Sequence, residues 1–386
     1  MNSRRRFLAA ALAAAGAGSL RQLLAQAGLA EDMPGRLLGT LPLVRADGGP
    51  RAPLETHLGA GLDARLFTDL STLSEKTPTT PNDRFYIRTA CPATLRHTQP
   101  WTIQVDGLVR EPRPLTLDSI TNLAGPRGAV LLECAGNGEG ADYGLISAAE
   151  WDGIPMAAVM ERIQPFARSL RVVVSGVDDH THPSRTSIPG ASWIFSRDDL
   201  DRSNAFLATR MNGMPLPRDH GAPVRLIVPS WYGCACIKWV DRITIVEDAA
   251  PATSQMQEFA TRTHQDGTPA LARDFQPAVI DLAATPVRVE KWSIEGRLAY
   301  RVVGVMWGGS KPTDALEIRF HPDEPFVPVS HCPKPENTRT WSLWWHLWRP
   351  PSPRRYDIVL RVSDPTIRTR RLDLFYYTRE VVVNDV

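Results

Sequence analysis

The chain has 386 residues, enough for two domains that each bury a core, and its 43% hydrophobic and 22% charged content is that of a soluble globular protein. The formal net charge is only +2, from 44 basic and 42 acidic residues, which excludes the strongly basic face that nucleic-acid binding requires. Thirty-three prolines and eleven tryptophans favour loops and strands over long helices.

The chain opens with Ser3-Arg4-Arg5-Arg6-Phe7-Leu8 and an alanine-rich apolar stretch to about Leu20. Ala25-Gln26-Ala27 then offers a small-x-small cleavage site. The stretch is too short and too glycine-containing to span the ~30 Å hydrocarbon core of a bilayer. The paired arginines resemble a twin-arginine signal, whose machinery exports proteins already folded. Residues 1–27 are therefore expected to be removed, leaving a periplasmic product with no membrane span. Loss of their four arginines turns the formal charge from +2 to −2.

Residues 28–75 carry few patterns and read as a surface leader. Residues 76–255 read as a mixed α+β domain. Its expected strands are Trp101–Val105, Ala129–Leu132, Arg171–Val174, Val224–Val228 and Ile243–Val246, with a short helix over Ala157–Ile163. A polar passage, Ala250–Pro277, separates it from a second series at 278–386. There, strands are expected at Val287–Trp292, Tyr300–Val305, Ala315–Phe320, Ser342–Leu347, Asp357–Val362 and Leu372–Tyr377. Short strands at this spacing suggest an immunoglobulin-like β-sandwich.

Five cysteines leave at least one thiol unpaired, and the lack of Cys-x-x-Cys-His excludes a covalent c-type haem on this chain. Cys234 and Cys236 lack the second ligand pair that a structural zinc site needs. Cys134 is different in its setting. The apolar run ending Leu131-Leu132-Glu133 stops at this thiol and enters the small-residue loop Ala135-Gly136-Asn137-Gly138, where backbone can approach a large ligand. A lone buried cysteine is more often structural than functional, so its neighbours decide.

Those neighbours resemble the sulfite oxidase family. Cys134-Ala135-Gly136-Asn137 is similar to the family's molybdenum-ligating motif, and Glu150-Trp151-Asp152-Gly153-Ile154-Pro155 to its active-site tryptophan segment. Met211–Arg225, with its Met-Asn-Gly-Met-Pro-Leu-Pro-Arg-Asp-His-Gly-Ala-Pro-Val-Arg, resembles the most recognisable family stretch. Val228–Trp239 follows at family spacing, and Val303–Gly309 looks like the start of the family's dimerisation sandwich. The likeness covers roughly residues 75–380. It implies a molybdenum-cofactor domain followed by an immunoglobulin-like dimerisation domain, and hence a homodimer.

The resemblance also implies a molybdenum-pyranopterin cofactor with Cys134 as its thiolate ligand, a soft donor suited to the metal. The pterin phosphate needs buried donors, and by position these are His220, Arg225 and Lys238, with Asp178 and Ser187 as further polar candidates. Arg88 matches the family arginine facing the metal and a small anionic substrate, and Trp151 the wall of the substrate funnel. The implied reaction is two-electron oxygen-atom transfer, sulfite to sulfate, with electrons leaving singly to an external carrier such as a cytochrome c. Three departures bear on substrate. Ala90 stands where the family has histidine, Glu139 follows the thiol loop where a basic residue is usual, and Gln255–His264 lacks the family tyrosine. They keep two alternatives open: the same cofactor reducing an S-oxide or N-oxide, and a non-catalytic exported binding protein on this scaffold.

Overall fold

The computed structural model describes residues 33–44, 52–92, 95, 100–168, 170–177, 191–374 and 377–386. The signal segment 1–27, Asp178 and Ser187 lie outside the described residues. The chain divides into two compact units. One comprises Arg51–Thr68 and Thr79–Ile280; the other comprises Asp69–Pro78, Asp281–Val386 and the described part of Met1–Pro50.

The leader is shared between the units. Strands β1 (Arg36–Leu41) and β2 (Leu43–Val44) belong to the carboxy-terminal unit, residues 52–68 to the other, and 69–78 return to the first. The segment expected to wrap the surface is thus structural: Leu37 packs with Trp292, Ile294 and Ala299.

The larger unit holds two five-stranded sheets. One runs β4 (Leu115–Thr116), β3 (Thr102–Gly107), β12 (Val240–Val246), β7 (Arg171–Gly176), β8 (Ser192–Phe195). The other runs β10 (Met214–Pro215), β9 (Phe206–Met211), β6 (Ile146–Pro155), β5 (Gly125–Glu133), with β11 (Arg225–Ile227) on β9. Each strand expected in this region is found, with shifted ends. Val130, Leu131 and Leu132 of β5 are all buried, as an unbroken apolar run demands. In β12, Ile243 and Ile245 are buried while Arg242 between Val240 and Ile243 faces out.

Helix is confined, among the described residues, to short α1 (Met156–Ile163), α2 (Arg197–Arg202) and α3 (Ser254–Glu258) plus single 3₁₀ turns. The unit is therefore sheet-dominated. In α1, Met156, Val159, Met160 and Ile163 fall on one face and are all buried, and Gln164 ends the helix in the left-handed region, its N–H on Met160 O at 3.1 Å. Thr253 caps α3 by accepting from the Met256 N–H. The passage expected to separate domains folds back instead. Ala252 N–H reaches Ala270 O, Tyr232 N–H reaches Ala278 O, and Ile280 N–H reaches Ser230 O. This return brings α3 to the site described below.

The other unit has two antiparallel sheets. One is β1, β13 (Ala283–Ile294), β14 (Arg297–Trp307), β17 (Ser342–Trp348); the other is β16 (Val327–Pro328), β15 (Leu316–Arg319), β18 (Arg354–Val362), β19 (Arg379–Val383), β2. Trp348 joins them, stacked on Phe320 at 4.0 Å and edge-on to Tyr356 at 4.6 Å. The expected last strand at Leu372–Tyr377 is a correction. Leu372 and Tyr377 are buried through a turn, with the Tyr377 N–H on Leu374 O, and the strand begins at Arg379. There Arg379, Val381 and Val383 alternate inward, the pattern a strand needs. Glu290, buried, accepts from Arg288 and Arg301 at 2.7 Å each, so three charges in the sheet's interior remain hydrogen-bonded.

Candidate active site

Cys134 stands one residue beyond β5, its N–H on Leu145 O at 2.9 Å. Asn137 pins the loop that follows. Its N–H reaches Cys134 O, its amide donates to Glu133 Oε1 at 3.2 Å, and its Oδ1 accepts the Leu145 N–H at 3.0 Å. The Gly136 N–H donates to Cys134 Sγ at 3.3 Å. A Cβ at Gly136 would lie 3.0 Å from Arg262 Nη1 and 3.8 Å from the sulfur, so the loop backbone runs close to both groups. Burial pushes the Cys134 thiol up, opposed by the Gly136 amide and by Arg88, while Glu133 adds to the upward push and Arg262 opposes it.

The thiol lines a cavity of about 460 Å³ whose wall also carries Arg88, His220, Arg225 and Lys238. Four of the sequence-selected residues thus share one chamber with Cys134. Gly221, at φ +110°, makes this possible: a Cβ there would lie 2.9 Å from Arg225 Cβ and 3.2 Å from Lys238 Cβ. Buried Arg225 donates to His220 O at 3.0 Å and Cys236 O at 3.2 Å, and its Nε has no hydrogen-bond partner. Lys238 Nζ donates to Asp219 O at 3.0 Å and to Thr89 O. Burial, then Arg225, lowers Lys238 to about 7, even though Asp219 pulls it upward.

An orphaned buried guanidinium nitrogen beside a buried lysine fits an anionic group such as a pterin phosphate. His220 belongs with them. Its Nε2 lies 3.0 Å from Asn82 O, its ring meets Phe85 edge-on, and burial lowers it to about 4. The folded state therefore binds fewer protons than the unfolded chain between pH 6.5 and 4. The contribution is fully present above 6.5 and lost as pH falls toward 4. Cofactor-free protein should lose about 3 kcal/mol of stability over that window. Urea unfolding across it, with His220→Gln as the flatter comparison, checks this.

Other expectations meet different surroundings. Trp151 does not line the cavity. It is buried with Nε1 on Val130 O at 3.1 Å, edge-on to Phe85, and Arg225 Cζ lies 5.7 Å from its ring. It packs beneath cavity residues because β6 turns that position into the core. Glu139 is likewise buried in a 3₁₀ turn and is not part of the wall. Cys234 and Cys236, set aside in the zinc argument, do line it, both thiols pushed up by burial.

Sequence reasoning also passed over Arg65, Tyr86, Gln255 and Phe259, all on the wall. Tyr86 is buried and its phenol held well above the ordinary value, chiefly by burial, so it stays protonated. Gly233 lets its hydroxyl approach, since a Cβ there would be 2.8 Å away. The signal available was alternation in Phe85-Tyr86-Ile87-Arg88, which sets Tyr86 and Arg88 on one side.

Residues 90–254 match the family model described as oxidoreductase molybdopterin binding domain. The mitochondrial sulfite oxidase of Drosophila melanogaster is 28% identical over 254 residues, covering 60% of this chain and 43% of that protein. Inducible nitrate reductase [NADH] 2 of Glycine max is 26% identical over 301 residues, covering 70% of this chain and 34% of that one. The chain thus spans less than half the length of these two relatives. The crystal structure of the sulfane dehydrogenase SoxCD from Paracoccus pantotrophus shares the fold, with a TM-score of 0.63, 16% identity, and coverage of 90% of this chain and 91% of that one. A thiol, a basic recess and a matching domain converge: residues 90–254 are a molybdopterin-binding oxidoreductase domain, and the chain is similar to the sulfite oxidases and nitrate reductases that carry one.

Proposed function

We propose that the chain is a periplasmic molybdenum-cofactor enzyme oxidising sulfite to sulfate and passing single electrons to an external carrier such as a cytochrome c. The observation that carries this reading is the placing of Cys134 and Arg88 in the same cavity as His220, Arg225 and Lys238. The cofactor, when bound, supplies the two-electron redox centre for oxygen-atom transfer.

The chain's own residues divide the remaining tasks. Cys134 is the metal ligand, presented by a loop that Asn137 locks. His220, Arg225 and Lys238 hold the phosphate, which restores the charge burial withholds from Lys238. Arg88 binds an oxygen of the anion by charge-assisted hydrogen bonds. Protonated Tyr86 offers a neutral donor on the same wall. The balance is sulfite plus water giving sulfate, two protons and two electrons. Export rests on the arginine run Arg4-Arg5-Arg6, and the two-sheet unit is read as an immunoglobulin-like dimerisation domain. Among the described residues no helix is long and apolar enough to cross a membrane.

A second reading keeps the cofactor and reduces an S-oxide, an N-oxide or nitrate. Ala90, the absence of a tyrosine in Gln255–His264 and the likeness to a nitrate reductase favour it. Protein exported by its own signal should contain about one molybdenum per chain, since one cavity joins the Cys134 thiol to the phosphate donors. It should reduce ferricyanide with sulfite. Stoichiometric metal with turnover only of the oxidised substrates would select the second reading.

A further inference from the structure

Arg65 stands opposite Arg88. Leu66 and Ile87 exchange both backbone hydrogen bonds at 2.9 Å, an antiparallel pair whose flanking residues are Arg65 and Arg88. Directly opposed residues project to the same side, and both arginines line the cavity that holds Cys134. Arg65 Nη1 donates to Arg88 O at 2.6 Å and to Ala64 O at 2.7 Å, which fixes where its guanidinium sits. Ala90, by contrast, packs against Ala64, Leu66 and Ile87, and its N–H is tied to Gly61 O at 2.9 Å. Position 90 is therefore packed among apolar residues, while the paired segment puts a permanent cation, Arg65, on the cavity wall with Arg88.

We propose that Arg65 is a second substrate-binding guanidinium, forming with Arg88 a clamp for a small oxyanion at the Cys134 end of the cavity. The inference rests on the proposed reading for the identity of the anion turned over, but not for the binding itself. Two cations on one wall attract an anion, so the pair favours sulfite, sulfate or nitrate over a neutral S-oxide. Asp63, exposed on the same wall, is the carboxylate that competes with the anion for Arg65.

The test uses molybdenum-replete enzyme and sulfate as a probe that needs no turnover, with affinity read by titration calorimetry. Arg65→Gln keeps a donor for the two carbonyls but removes the charge. It should weaken sulfate and raise the sulfite KM by about tenfold or more, with kcat changed less than about threefold, and Arg65→Lys should recover most of the loss. Asp63→Asn should tighten sulfate by about twofold to threefold through loss of an exposed competing charge. Sulfate affinity within twofold of wild type in folded Arg65→Gln overturns the clamp. Should that variant not fold, Asp63→Asn decides, and no tightening overturns it. Wild-type enzyme that binds no sulfate overturns it as well. Arg65-dependent sulfate binding without sulfite oxidation keeps the clamp and removes the sulfite reading alone.

Discussion

Cys134→Ser should give a folded protein whose sulfite turnover has fallen by at least about three orders of magnitude, equivalent to about 4 kcal/mol of lost transition-state stabilisation. The loss is electronic. A thiolate is a soft ligand and an alkoxide or water a hard one, so the metal's charge-transfer absorption and potential both change. The fold should survive because what pins this residue is mostly backbone: its N–H on Leu145 O, and its carbonyl accepting from Asn137. The Gly136 N–H that now meets the sulfur would find a hydroxyl oxygen instead. Visible absorption, metal content and far-ultraviolet dichroism on the same preparation separate the possibilities. Unchanged spectrum and activity would move the ligand role to Cys234 or Cys236, which share the cavity.

Much of this was legible in the residues because it depends on local pattern. Unbroken apolar runs became β5 and β7, short strand-like segments between Gly and Pro located β13, β14 and β18, and the spacing 156, 159, 160, 163 made one buried helix face. The cavity's basic residues could be named for a related reason: they lie on short segments whose motifs are contiguous. Arg65 was not legible. It reaches the site only through a two-residue bridge between Leu66 and Ile87, a long-range pairing that leaves no mark on either segment alone. Side-chain direction at Trp151 and Glu139 was not legible either, since motif position gives only nearness to the thiol, while strand direction and a 3₁₀ turn carry both side chains into the interior. Leu372 and Tyr377 fill the core from turns, which hydrophobicity alone does not distinguish from a strand.

Arg225→Met should separate stability from function most sharply. In the cofactor-free protein Arg225 is a buried cation with Nε unpartnered, its hydrogen bonds going to the neutral carbonyls of His220 and Cys236. Burial accordingly lowers its pKa, a measure of how poorly the charge is solvated there. Methionine has a similar reach and no charge, and exchanging buried ions for apolar residues of like volume is often neutral or stabilising by about 1–4 kcal/mol. The two carbonyls left without this donor oppose that gain, at about 1 kcal/mol each. Cofactor-free Arg225→Met should therefore melt within a few degrees of cofactor-free wild type, or higher. With cofactor the sign reverses. A phosphate in this recess would lose a charge-assisted donor in low dielectric, a change of about 2–5 kcal/mol, or roughly thirtyfold to several-thousandfold in affinity. Pterin and molybdenum retained after gel filtration should fall accordingly, while His220 and Lys238 still hold a residue of binding. Melting of the cofactor-free and loaded forms, side by side, is the measurement. A variant that loses stability equally in both forms, and keeps its pterin, would make Arg225 a packing residue and place the phosphate elsewhere.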